Sequence, residues 1–320
     1  LLRDLGGHDL RRLLVTLDEA DREPSRPSVI FAYTLKGWGL PIAGDPMNHS
    51  ALLNTAQIDE LRAELGVPDG DDWAAFDPDS PEGQLCRRAA KRLSEGSTGS
   101  PLPAIAPDAI PAHLPVKVPA VSSSQEAFGK TLVELARDKT LVGRLVTLSP
   151  DVSISTNLAG WVNQVGVFSS EASPQPPGQI AQPLRWQPAP DGQHIELGIS
   201  EMNLFMLLGQ FGLSYELNGH HLLPIGTVYD PFVCRGLDAL IYGLYSGSRF
   251  VFAGTPSGIS LSPEGGAHQS AVTVSLGIEL PNLRLYEPCF AQETAWCLLE
   301  GLRLCCDRES GHSTYLRLST

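Results

Sequence analysis

The sequence predicts an α/β fold: a doubly wound, mostly parallel sheet, preceded by the tail of a second similar domain. Three observations carry this expectation. Short continuous apolar runs alternate with longer segments of helical periodicity. The runs are apolar throughout rather than alternating, as strands covered on both faces require. The loops that follow them hold the chemically versatile side chains, and ligands of open α/β sheets bind beyond the carboxyl ends of the strands.

Taken in order, LRRLLVTLDEAD (10–21) has apolar residues at helical spacing with charges opposite, and reads as a surface helix. Pro27 introduces SVIFAYT (28–34), a run suited to a buried parallel strand. KGWGLPIAGDPMNHSALL (36–53) is rich in Gly and Pro and reads as a loop. TAQIDELRAELG (55–66) is a helix with Thr55 as cap and Gly66 as stop, and EGQLCRRAAKRLSEG (82–96) is a third. Residues 97–119 carry a proline every few positions without periodicity, as an extended linker does.

Strands and helices then alternate again. SSQEAFGKTLVELARD (123–138) is a helix and RLVTLSPD (144–151) a strand ending in Asp151. The stretch 156–193, rich in Pro and Gln, reads as an irregular surface insertion. HIELG (194–198) is a strand leading into a helix over 199–216, and HLLPIG (221–226) a strand leading to a helix over 234–247. RFVFAGT (249–255), LRLYEP (283–288) and TYLRLS (314–319) are strands, with AQETAWCLLEGLRLCCD (291–307) a helix before the last. The expected organisation is therefore 1–66, a helix and Pro-rich linker over 67–119, and a main domain over 120–320.

Composition excludes several classes. With 320 residues and 42% hydrophobic content the chain can bury a sizeable core. A net charge of −13 with no basic stripe argues against nucleic acid and anionic membrane surfaces. No apolar run approaches the ~20 residues of a spanning helix. Six cysteines without a CxxC pair suit a reduced, cytoplasmic setting. The start on LLRDLGGHD, without a methionine, reads as an internal piece of a longer protein.

The candidate site rests on a few residues. Glu201, in HIELGISEMNLFMLLGQFG (194–212), opens an otherwise apolar helix. With Ser200 as cap it could serve the helix terminus alone, but a carboxylate against an apolar helix is also suited to proton exchange. Tyr229 and Phe232, in GTVYDPFVCR (226–235), would by themselves be core residues. Asp230 and Pro231 between them indicate a loop tip, where exposed rings want something to stack on. A carboxylate beside two rings can hold a flat heteroaromatic ring and exchange a proton with one of its nitrogens. His268 in SPEGGAHQS and His49 in DPMNHSALL lie in loops of small residues and are candidate proton carriers; Asp151 follows a strand and converges on the same edge of the sheet; His8 and the pair His220 and His221 read as structural. GTPSG (254–258) places its serine one position off a nucleophile elbow, and no HExxH, P-loop, well-formed GxGxxG or zinc-ligand spacing occurs.

Read together, these segments resemble the thiamine-diphosphate-dependent transketolase superfamily, most closely the homodimeric pyruvate dehydrogenase E1 component. LGGHDLRRLLVTLDEAD with PSVIFAYTLKGWGL is similar to the end of that family's diphosphate-binding domain, and NHSALL to its loop histidine. SPDVSISTNLAGWVNQVGVFS, GQHIELGISEMN, YDPF and PEGGAHQS are similar to its pyrimidine-binding domain. The resemblance implies thiamine diphosphate as cofactor, with Glu201 on a pyrimidine nitrogen and Tyr229 and Phe232 against the ring. It implies that Asp151, His49 and His268 line the substrate funnel and handle protons. It also implies decarboxylation of a 2-oxo acid such as pyruvate, a homodimer, and acyl transfer to a lipoyl-bearing dihydrolipoyl acyltransferase (E2). The Gly-Asp-Gly…Asn signature that holds Mg²⁺ and the diphosphate is absent, so the metal ligands are expected outside this stretch. The alternatives are a transketolase acting on sugar phosphates, for which Arg235 is the one well-placed cation, and a non-catalytic dimerisation subunit of the same fold.

Overall fold

A computed structural model describes residues 6–320 except 69, 96–101, 172–185 and 187. Its contacts divide the chain into a unit of Leu1–Glu95 and a unit of Gly96–Thr320.

Among its described residues the first unit holds three α-helices, α1 (Leu10–Asp21), α2 (Thr55–Leu65) and α3 (Pro81–Ser94). Asp9 and Ser80 cap α1 and α3 with side-chain oxygens. The cap of α2 is Asn54, not the expected Thr55: its side chain accepts from the Gln57 amide while Gln57 reaches back to the Asn54 amide. Gly66 ends that helix at φ 67°, as expected of a left-handed stop. Residues 28–34 form no strand, and Val29 and Phe31 are 76% and 83% exposed. The run has the right composition, but among the described residues no neighbouring strand pairs with it, and a strand without a ladder leaves its backbone unsatisfied. His8 is structural as expected: its Nε2 accepts the Leu35 amide at 2.7 Å and its ring stacks on Trp38.

The second unit is built on eight parallel strands, β1 (Leu145–Ser149), β2 (Val167–Phe168), β3 (Pro188–Ala189), β4 (His194–Glu196), β5 (Leu223–Val228), β6 (Val251–Gly254), β7 (Leu283–Tyr286) and β8 (Ser313–Arg317), ordered β3-β2-β4-β1-β5-β6-β8-β7. Its helices are α4 (Ser124–Leu135), α5 (Ala159–Val165), α6 (Glu201–Gly212), α7 (Ser214–Asn218), α8 (Leu237–Tyr245), α9 (Leu276–Glu279) and α10 (Ala291–Cys306). The fold class is the α/β parallel sheet expected.

Two cores sit on opposite faces. Phe128 and Leu132 of α4, Trp161 of α5 and Leu298 and Leu302 of α10 pack with Val251 and Ala253 on one face. Leu204, Phe205 and Leu208 of α6 and Leu240 and Leu244 of α8 pack with Phe252 and Tyr315 on the other. The period-two alternation of VFA at 251–253 divides that strand between the two faces. A close approach sets the second layer: a Cβ on Gly212 would meet the Ser248 hydroxyl at 2.1 Å, so this end of α6 admits only glycine.

Three segments differ from expectation. The stretch 156–193 is not wholly irregular, since α5 buries Trp161 completely and β2 and β3 extend the sheet; residues 172–185 of it lie outside the described residues. The helix expected over 199–216 is two, broken after Gly212, and that expected over 234–247 begins at Leu237 after a 3₁₀ segment, Asp230–Gly236.

Residues 102–118, expected as part of an extended linker, pack within the second unit. Ile105 and Ile110 are buried in the first core, and the Ile105 amide donates to His221 Nδ1 at 2.9 Å. Burial holds the His221 imidazole below its ordinary value; a hydrogen bond with the Cys305 backbone opposes this, and Arg308 and Arg144 add to it. Because the folded value is depressed, this group's contribution is complete above the unfolded pKa of about 6.5 and is lost as pH falls below it toward the folded value. Protonation of Nδ1 also removes the acceptor for Ile105. Amide exchange of Ile105, corrected for intrinsic rate, should therefore accelerate between about pH 7 and pH 5; constant protection across that range would refute the coupling.

Candidate functional site

The site builds up from the order of strands. The helix after β1, α5, packs on one face of the sheet, whereas α8, which follows the adjacent β5, packs on the other. Loops leaving two neighbouring strands in opposite directions open a crevice at their carboxyl ends. Across it the Tyr229 hydroxyl donates to Ser155 Oγ at 2.8 Å.

On the β5 side, Tyr229, Phe232 and His268 form a triangle of half-buried rings. Their centroids lie 6.0 Å apart for Tyr229 and Phe232, 5.7 Å for Tyr229 and His268, and 5.2 Å for Phe232 and His268. His268 Nε2 lies 3.5 Å from Glu264, and its Nδ1 is buried without a hydrogen-bond partner. Glu201, 8% exposed, is the first residue of α6, where the dipole favours a carboxylate. Ser200 precedes it, but its side chain does not cap the helix. Arg235 joins the two elements: its Nη1 donates to Glu201 Oε1 at 3.1 Å, and its guanidinium carbon lies 3.6 Å above the centre of Phe232.

On the β1 side, Asp151 is exposed and holds a left-handed φ of 63°. Its amide donates to Glu196 Oε1 at 2.7 Å. Glu196 ends a buried line of hydrogen bonds whose direction is fixed at both ends. The Trp161 indole, which can only donate, bonds Thr147 Oγ1 at 2.8 Å, and Thr147 lies 2.8 Å from His194 Nδ1. His194 Nε2 lies 2.9 Å from Ser153 Oγ, which donates to Glu196 Oε2 at 2.6 Å. Burial raises the Glu196 carboxyl, but the hydrogen bonds from His194, Ser153 and the Asp151 amide together bring it below its ordinary value. An ionised Glu196 accepts only, so His194 carries its proton on Nε2.

Beneath the rings lies a carboxylate whose place differs from the loop tip expected. Asp230 is not at a loop tip but fully buried. It accepts from Thr273 Oγ1 at 2.7 Å, from Arg317 Nε at 3.2 Å, and from the hydroxyls of Tyr315 and Ser270. Burial and the Asp230 charge both push the Tyr315 phenol upward, which keeps it a donor. Ser270 stands two residues after His268, so this cluster ties the histidine loop to the turn carrying Tyr229 and Phe232. Gly254 makes room: a Cβ there would meet Asp230 Oδ1 at 2.5 Å.

Of the expected site residues, Glu201, Tyr229, Phe232 and His268 are thus brought together through Arg235, and Asp151 lies on the loop that Tyr229 reaches through Ser155. His49 belongs to the first unit, where it is exposed and its Nδ1 accepts from Lys36 Nζ at 2.9 Å. Glu196, His194 and Asp230 were missed. A strand-end acid in HIELG was a usable signal for the first; the partners of the others lie tens of residues away.

The all-parallel sheet, with an acid and a ring cluster at its carboxyl edge, is a transketolase-like fold. The solved transketolase of Leishmania mexicana aligns with 98% of this chain and 44% of its own at TM-score 0.65 and 19% identity. That of Campylobacter jejuni aligns with 98% of this chain and 45% of its own, also at 0.65, with 17% identity. The chain itself belongs to the pyruvate dehydrogenase E1 component middle domain family, whose model matches residues 117–318. It is similar to the pyruvate dehydrogenase E1 components of Pseudomonas aeruginosa, at 26% identity over 316 residues, and Escherichia coli K12, at 23% over 314. Each alignment covers 93% of this chain, which spans about a third of those relatives, 36% and 35%. The expected place in the thiamine-diphosphate-dependent transketolase superfamily, on its E1 side, therefore holds.

Proposed function

We propose that this chain is the part of a pyruvate-dehydrogenase-type E1 that receives the pyrimidine end of thiamine diphosphate and serves the decarboxylation of a 2-oxo acid, pyruvate in the first place. The observation that carries the reading is the buried Glu201 carboxylate, linked through one guanidinium to the face of Phe232. The donor set suits the group: an acid for a ring nitrogen, aromatic faces for a flat ring, and a buried His268 Nδ1 with no hydrogen-bond partner.

Bound thiamine diphosphate supplies the electron sink for decarboxylation. The protein's share is binding, orientation and proton handling. Glu201 holds or releases a proton at the ring nitrogen, and Tyr229 and Phe232 fix the plane of the ring. His268 and Asp151 exchange protons with the substrate, and His49 keeps the part the resemblance implies. The divisions 1–66, 67–119 and 120–320 belong to the same reading. So do a cytoplasmic setting, which six free cysteines support, and transfer of the acyl group to a dihydrolipoyl acyltransferase (E2).

Mg²⁺ belongs to the same reading, with its ligands expected outside this stretch because the Gly-Asp-Gly…Asn signature is absent from the sequence. No described helix is long and apolar enough to cross a membrane. Homodimer formation is supported by exposed apolar residues on α6 and α8: Met202, Met206, Ile241, Tyr242 and Tyr245. The transketolase alternative is left to the same test, since Arg235, the cation a sugar phosphate would want, pairs with Glu201 but is 54% exposed.

The test is an assay of the full-length protein, with thiamine diphosphate and Mg²⁺, on pyruvate and on ketose phosphates. Decarboxylation of pyruvate is expected. Turnover of ketose phosphates alone would favour transketolase, and activity on neither would favour the non-catalytic subunit.

A further inference from the structure

We infer that Arg235 is an internal occupant of the ring site, a gate that must leave before the heteroaromatic ring can bind. The inference rests on the function proposed above. The guanidinium is planar, carries its donors in that plane, and is weakly hydrated, so it can stack and pair at once. Here it does both. It lies 3.6 Å over Phe232, the separation of stacked rings, and donates to Glu201 at 3.1 Å. A protonated heteroaromatic ring would ask the same two things of the same two residues. Tyr229 and His268 meet Phe232 tilted, at 40° and 59°, rather than stacked on it.

The arrangement is built to open. Arg235 is 54% exposed at its side chain, whereas its partner Glu201 is 10% exposed, so the arginine can swing into solvent and the acid cannot follow. It is the next-to-last residue of the 3₁₀ segment Asp230–Gly236, whose start is anchored by the buried Asp230. Behind it, Gly236 is packed so closely that a Cβ would meet Phe205 at 2.4 Å, which fixes the backbone while the side chain moves. In the closed state Arg235 covers the Phe232 face and neutralises Glu201. The gate thus selects for ligands that compete on both counts: a planar ring carrying a donor toward the carboxylate. Saturated ligands, and rings that present no donor to the carboxylate, meet a paired acid and a covered ring. Arg235 is accordingly a specificity-determining residue, acting through the state of Glu201 and Phe232.

The test is titration calorimetry of thiamine diphosphate, with Mg²⁺ and without substrate, into the full-length protein and its Arg235→Met and Arg235→Lys variants. An exposed ion pair and a cation–π contact are the interactions displaced, so Arg235→Met should bind roughly 3- to 30-fold tighter than the natural chain. Arg235→Lys, which can pair but not stack as a plane, should fall between them. The gap should narrow as salt is raised, because salt screens the pair. Equal or weaker binding by a folded Arg235→Met protein would overturn the gate while leaving the ring site intact. Binding by none of the three proteins, each folded by circular dichroism, would bring down the proposed function and the gate together.

Discussion

In the full-length protein, Glu201→Gln should lower turnover about 10²- to 10⁴-fold, the range contributed by a positioned acid–base group. The substitution keeps shape and removes the exchangeable proton. Its structural effect should be small, since Glu201 has one charged partner, Arg235, which is largely exposed and free to turn to water. The pair of readouts decides the matter: circular dichroism and thermal midpoint near those of the natural chain, with kcat collapsed. Turnover that survives in a folded variant would take Glu201 out of the mechanism, and with it the residue on which the proposed function leans most.

The largest stability effect is expected at Asp230. Its carboxylate is fully buried and gathers Tyr315, Ser270, Thr273 and Arg317 from two other segments of the chain. Asp230→Ala leaves a nearly buried guanidinium without its inner partner and three hydroxyls without an acceptor. Breaking a buried pair from one side costs roughly 3–5 kcal/mol, and the lower end is expected because Glu287 remains on Arg317. Asp230→Asn keeps one acceptor oxygen and should lose much less. Denaturant midpoints at unchanged slope would measure both; an Asp230→Ala midpoint within the scatter of surface substitutions would show that the cluster does not hold the loop.

How far the sequence could be read followed the range of the interactions involved. The helices α1 and α10 and the strands β1, β5, β6 and β8 are set by local periodicity and composition, and they lie within a residue or two of expectation. The run SVIFAYT has the same local character yet makes no strand, because a strand is a property of a pair and no described strand pairs with it. The helix α5 was lost in a stretch read as irregular: it is short, and what holds it is Trp161 bonding to Thr147 on the central strand. At the site, Glu201, Tyr229, Phe232 and His268 announced themselves by type and by position after strands. Asp230 did not, because a carboxylate between a tyrosine and a proline looks like a turn until Arg317 and Tyr315 close over it. Glu196 was visible as a residue, but its use depends on a hydrogen-bond line from Trp161 that no local pattern records.

The strand order has a consequence for how the chain is made. The strand β1 lies between β4 and β5, both of which come later in sequence. On a ribosome adding ~5–20 residues per second, the apolar LVTLS segment emerges several seconds before Val228 completes its second neighbour. Its first neighbour, β4, offers only three residues, His194–Glu196. The nascent sheet thus spends that interval with its future centre bare on one side, and parallel pairings this distant in sequence form slowly.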